Sequence, residues 1–235
     1  MKKKKQPAID PITNINDFLK LFDGQKKSDI VLYRGQTEDK PLIPKVARNS
    51  PSTNSENKEK KMLMELRRRG GSFLKSPGAS ELELMTQAQH FGMATRLLDW
   101  STNPLVALWF AINRGGNTNS FVYVYRPDKE QVIYDSSSID PFVQGRTKAL
   151  RPNYNNSRIT AQEGWFTLHI YSDKSGKFVP LEKNIQEKDR IEKYEISGSD
   201  MGEIMEKLNI LGINHNSIFP DIEGLCNYIN WIYSK

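Results

Sequence analysis

Arg34 stands directly behind the apolar run Ile30-Val31-Leu32-Tyr33 and is the first residue in this sequence placed to do chemistry. A guanidinium is a planar fork that grips phosphate or ribose oxygens in pairs. Gly35 follows, a residue that lets a ligand approach the backbone closely, and then Gln36. A second concentration of reactive types runs from Gln89 to Asn103 and includes His90, Thr95, Arg96, Asp99 and Trp100. His90 and Asp99 suit an acid and a base. Thr95 and Arg96 offer donors to a ligand, and Trp100 offers a stacking face. The third is Gln162-Glu163. A carboxylate beside an anomeric carbon stabilises an oxocarbenium-like transition state, and an amide can hold ribose hydroxyls. Neighbours on a strand face opposite ways, so only one of these two can serve.

Each of these residues also has a structural reading. Arg34 can close a salt bridge to Asp99. Arg96 and Asp99, three apart, can pair and shape the turn between them. A histidine near a helix C-terminus is favoured by the dipole alone. Trp100 can be core, and Asn103 can be no more than a cap.

The elements that must carry these residues follow from pattern. Asn14 to Phe22 reads as a short helix, and Ile30 to Tyr33 as a buried strand with Arg34 at its end. A basic helix spans Lys58 to Arg69 and stops at Gly70-Gly71. Ser80 and Glu83 form a capping box for a helix to Phe91. Asn103-Pro104 is a cap followed by proline at the first helical position. It opens a helix, Leu105 to Asn113, that is apolar nearly all round and therefore buried. Phe121 to Tyr125, Glu163 to Ile170 and Ile191 to Ile196 read as strands, and Asp135 to Ser157 mostly as loop. Two C-terminal helices carry apolar stripes, Met201-Ile204-Met205-Leu208-Leu211 and Ile222-Leu225-Ile229-Ile232. The expected class is α+β: one domain with a mixed or antiparallel sheet, a buried central helix and C-terminal helices.

Composition narrows the partners. The chain has 235 residues, 37% apolar, enough for a real core. No apolar run approaches the roughly 20 residues that span a bilayer, so no membrane partner is expected. Four of the charges behind the net +6 come from Lys2 to Lys5, read as a flexible basic tail over 1–13. The single cysteine, Cys226, rules out an internal disulfide and fits a reducing, cytoplasmic compartment. It is expected to be an inert, semi-buried thiol. The three histidines lack metal-ligand spacing, so no metal is expected.

Together, Tyr33-Arg34-Gly35-Gln36 and the long segment QHFGMATRLLDWSTNPLVALWFA from Gln89 to Ala111 closely resemble the FRG domain, a family named for a Phe-Arg-Gly motif. Tyr33 occupies the Phe position. The resemblance continues through Arg158 to Thr167 and Ile218 to Gly224, and so covers about residues 15 to 232, favouring one domain over 14–235. The family's pattern is similar in layout to the ADP-ribosyltransferase fold. By that resemblance Arg34, the Thr95 to Asn103 segment and Gln162-Glu163 fill its three motif positions. It implies NAD as substrate, with ADP-ribosyltransferase or NAD glycohydrolase chemistry, in a bacterial or phage defence or toxin setting. Arg34, His90, Gln162 and Glu163 would be catalytic. Arg34, Gly35, Gln36, Thr95, Arg96, Asp99 and Trp100 would hold the ligand. Two alternatives stand beside it. One is a non-catalytic module that binds a nucleotide or a protein partner. The other is a nucleic-acid effector using His90, Asp99 and the basic helix.

Overall fold

The structure is a computed structural model and describes residues 10–26, 29–74, 78–116, 118–154 and 156–234. The tail lysines, Lys2 to Lys5, lie outside the described residues. In chain order the first elements are α1 (Ile15–Lys20), β1 (Leu32–Gln36), α2 (Glu56–Arg69), α3 (Glu81–His90), β2 (Leu97–Ser101) and α4 (Pro104–Ile112). Then come β3 (Ser120–Tyr125), β4 (Val132–Ile133), β5 (Lys148–Leu150), α5 (Ser157–Ala161), β6 (Gly164–Leu168), β7 (Tyr171–Ser172) and β8 (Lys177–Phe178). The last are β9 (Ile191–Ile196), α6 (Met201–Ile210), α7 (His215–Ile218) and α8 (Ile222–Tyr233). The class is α+β, and the elements group into two compact units.

The first unit comprises Met1–Lys40, Asn103–Tyr125 and Ile191–Lys235. Its strands run in the order β1-β3-β9, each pair antiparallel, with Arg34 opposite Tyr123. Helix α4 is the buried central helix expected from its composition. Asn103 caps it by accepting from the Leu105 amide at 3.0 Å, and Val106, Ala107, Leu108, Trp109, Ala111 and Ile112 are all buried. The core is α4 against Val122 and Val124 of β3, with Phe18 from α1 and Ile204 and Leu208 from α6.

Helix α8 departs from expectation. Ile222, Leu225, Ile229 and Ile232 remain 75%, 39%, 42% and 38% exposed. The inner face is instead the set Gly224, Tyr228 and Trp231, spaced four and three apart. Gly224 decides this, because a Cβ there would lie 1.9 Å from the Phe219 carbonyl oxygen. Cys226 is exposed rather than semi-buried, since it shares the outer face.

The second unit comprises Pro41–Thr102 and Arg126–Arg190. Its strands run in the order β4-β5-β6-β2. β4 and β5 are parallel and the other pairs antiparallel, so this sheet is mixed. Leu82, Leu84 and Met85 of α3 and Leu63 of α2 pack with Leu97, Leu150, Phe166 and Leu168 of the strands. Among the described residues no helix is long and apolar enough to cross a membrane.

Candidate functional site

The second unit gathers most of the candidate residues at the end of α3 and along β2. Helix α3 begins with the expected capping box between Ser80 and Glu83. It ends at His90, and Gly92 turns the chain at a φ of 86°, in the left-handed region that favours glycine. That turn folds Thr95 back under the helix. The Thr95 hydroxyl donates to Gln89 Oε1 at 2.7 Å and accepts from the Leu97 amide at 3.1 Å. The Gln89 amide then reaches Asp99, at 3.2 Å to Oδ2. Gln89 therefore ties Thr95 to Asp99. It opens the Gln89 to Asn103 segment, and nothing local in the sequence marks it as a bridge.

Asp99 is the one exposed position in β2; Leu97, Leu98, Trp100 and Ser101 are all buried. Its backbone register is opposite Phe166, and the His90 ring meets Phe166 edge-on at 5.6 Å. Burial holds the His90 pKa below its ordinary value. The Asp99 carboxylate opposes that shift and the Arg158 guanidinium reinforces it. His90 Nε2 is buried and finds no hydrogen-bond partner among the described residues. A neutral imidazole with an unsatisfied nitrogen is chemically equipped to take or give a proton.

This has a consequence for stability. A histidine with a lowered folded-state pKa binds fewer protons folded than unfolded. Its stabilising contribution is complete above the ordinary value of 6.5 and declines as pH falls below it, towards the lowered value. His90→Gln is expected to flatten the stability profile in that window. The check is urea unfolding at a series of pH values, and an unchanged slope would show that His90 is not held neutral.

Further along the same strand, Ser101 Oγ donates to the Gln162 carbonyl at 2.6 Å, and the Thr102 amide to the Glu163 carbonyl at 3.1 Å. Thr102 Oγ1 also donates to Glu163 Oε2 at 3.0 Å. The expected strand from Glu163 begins instead at Gly164. Gln162 is the C-cap of α5, and Glu163 turns the chain into β6 with φ 46°. Among the described residues it is the only non-glycine residue with positive φ. The strand-alternation argument about these two residues therefore does not apply.

Two other candidates are built into the interior. Arg96 does not pair with Asp99, as the three-residue spacing suggested. Its side chain, 3% exposed, pairs with Glu59, 2% exposed, at 3.0 Å, and also reaches the Pro141 carbonyl. Glu59 in turn accepts from the Arg96 amide and from Ser55. The missed signal lay in α2: Glu59 shares the face of Leu63 and Leu66, an acid on the apolar side of a basic helix. Trp100 is core, 4% exposed, with its indole N–H donating to Thr167 at 3.0 Å.

Arg34, Gly35 and Gln36 lie within β1, in the first unit, and not beyond its end. Arg34 is half-buried, and the Gln36 amide donates to the Lys40 carbonyl at 2.8 Å. The close approach for which glycine was expected at 35 is real, but α4 makes it. A Cβ on Gly35 would lie 1.9 Å from Ala107 O and 2.4 Å from Ala111 N.

The model of the FRG domain matches residues 29–120. This span holds the Arg34 strand, the Gln89 to Asn103 segment and α4, and leaves Gln162 and Glu163 outside. No curated protein and no solved structure matches the chain.

Proposed function

From the match of residues 29–120 to the FRG domain, we propose that the chain cleaves the nicotinamide–ribose bond of NAD in an ADP-ribosyltransferase-like effector of bacterial or phage defence. The observation that carries this reading is the Glu163 backbone. A left-handed conformation costs a side-chain-bearing residue of order 1–3 kcal/mol, and such strain concentrates where a side chain must be aimed. Here it aims an exposed carboxylate, steadied by Thr102, from the turn into β6.

In the proposed reaction the bond between ribose C1′ and the pyridinium nitrogen breaks. Its electron pair leaves with nicotinamide, and Glu163 stabilises the positive charge left on the ribose. Water or an acceptor hydroxyl then attacks C1′ and gives up its proton, for which the neutral His90 is the available base. The nucleic-acid reading has less support. Lys60, Arg68 and Arg69 of α2 are paired with Glu56 and Glu65, and Arg67 donates to the Ala79 carbonyl.

The test follows free nicotinamide and protein mass during incubation with NAD. Wild type is expected to release nicotinamide, and Glu163→Gln to do so at least about 100-fold more slowly, the scale of losing one transition-state contact. Glu163→Gly should lose activity equally while gaining up to about 1 kcal/mol in urea unfolding, because the backbone strain disappears. A Glu163→Gln variant at full rate would sink the assignment. NAD bound and recovered intact would favour the binding-module reading.

A further inference from the structure

Helix α8 carries three stripes of side chains and buries one of them. Gly224, Tyr228 and Trp231 face inward. At about 100° per residue, a polar stripe of Glu223, Asn227 and Asn230 flanks them on one side and an apolar stripe of Ile222, Leu225, Ile229 and Ile232 on the other. The polar stripe is exposed, as its composition requires. The apolar stripe is open too, from 38% at Ile232 to 75% at Ile222. Its residues are three, four and three apart, the spacing along which one helix seats against another. We propose that this stripe joins two copies of the chain, their α8 helices antiparallel across a two-fold axis.

Spacing and charge select a second copy as the occupant. The pattern of three, four and three reads the same in both directions. Two helices crossing antiparallel at Asn227 therefore set Ile222 beside Ile232 of the other copy and Leu225 beside Ile229 of the other copy, each contact made twice. Every apolar side chain of the stripe gains an apolar neighbour. Opposed helices also bring each positive end to a negative end. The stripe and its outer border, Cys226 and Tyr233, hold no charge, and the one acid of α8, Glu223, lies on the polar stripe beyond the inner face. Like charges are thus not brought together when the two faces meet.

Area sets the strength. The open parts of these four side chains and of Tyr233, 82% exposed, amount to roughly 500 Å² per copy, so pairing covers on the order of 1,000 Å², the lower limit for a specific contact. The dimer is therefore weak, with a dissociation constant on the order of 10–100 µM. A lipid surface suits this helix less well. Helices that lie on membranes carry Lys and Arg along the polar face, and α8 has one glutamate and two asparagines there.

The experiment is sedimentation equilibrium of the whole chain over about 2 to 500 µM, a range that brackets that constant. The mass should rise from monomer towards dimer. Ile229→Glu lies near the centre of the contact and enters it twice, so it should weaken pairing at least about 10-fold. Ile222→Glu, at the most open position, should weaken it as well and leave the thermal melt unchanged. Asn230→Glu, on the polar stripe, should pair like wild type. Cys226 reports the direction. It borders the apolar stripe on one side, so antiparallel helices bring the two thiols to the same flank and parallel helices set them on opposite flanks. A short bismaleimide should cross-link the wild-type dimer. A monomer at every concentration would overturn the proposal, and so would a dimer that both glutamate variants leave intact or that resists the cross-linker. A monomer that instead floats with phosphatidylcholine vesicles would hand the face to lipid. The readout is mass, so an absence of NAD turnover leaves this inference standing.

Discussion

Glu59→Leu is expected to destabilise the protein by about 3–5 kcal/mol, the usual cost of removing one partner from a buried ion pair. Against a typical total of roughly 5–15 kcal/mol, that is enough to unfold a marginal domain. The reason is what remains behind. Arg96 would keep its charge inside the second unit with no carboxylate partner, against the Pro141 carbonyl at 3.4 Å and the rings of Phe142 and Phe178, 4.4 and 6.0 Å away. Arg96→Met should be damaging for the mirror-image reason, stranding a carboxylate that is now held by Ser55 and two groups of Arg96. The double variant Glu59→Leu/Arg96→Met removes both charges and should recover most of the loss. Urea unfolding of the three variants forms a double-mutant cycle. Losses that simply add would show that the pair is not what holds α2 to the start of β2.

Gly35→Ala is expected to cost about 3 kcal/mol or more, at or beyond the top of the range for overpacked cores. The clash is with backbone, at Ala107 O and Ala111 N, so no rotamer change can relieve it. Either α4 or β1 must move, and α4 is buried along most of its length. Gly71→Ala is the control. Nothing lies within 4 Å of its added Cβ and its φ is ordinary, so a change within about 0.5 kcal/mol is expected. Thermal or urea unfolding distinguishes the two. A Gly35→Ala protein with wild-type stability would mean that α4 does not sit on β1 as closely as described.

These two positions bear on function through what stands beside them. Arg34 precedes Gly35 on a strand whose height against α4 is set by the missing side chain. Arg96 begins the stretch that carries Asp99, and its amide and guanidinium are both held by Glu59. Half of the arginine-bearing pattern therefore works as scaffold. Arg96 anchors the segment, and Gly35 fits the strand to its helix. The chemistry proposed above falls to exposed or half-buried groups, Glu163 and His90.

Local signals were enough for the helices with strong punctuation. The Ser80–Glu83 box and the Asn103-Pro104 start are made by side chains within a few residues of the backbone groups they satisfy, so they hold in any surroundings. The apolar run of α4 likewise announced its burial, and residues 33 to 36 and 89 to 111 lie in the span that matches the FRG domain. Burial of charge was a different matter. Glu59 and Arg96 are 37 residues apart, and whether Arg96 meets Asp99 or Glu59 depends on where α2 packs. The same holds for α8, whose regular stripe of Ile222, Leu225, Ile229 and Ile232 looks like a core face. Gly224 and Phe219 turn the opposite face inward because only a glycine fits against that carbonyl. The strand formers that follow Glu163 extend the expected strand back to it. Its left-handed turn falls where only Gln162 and Glu163 separate the end of α5 from the start of β6, a position set by the tertiary path and not announced by side-chain type. Sequence determined the residue types, the caps and the match to the FRG domain over residues 29–120. Packing decided which charges are structural and which face the solvent, because that choice is made by partners far away along the chain.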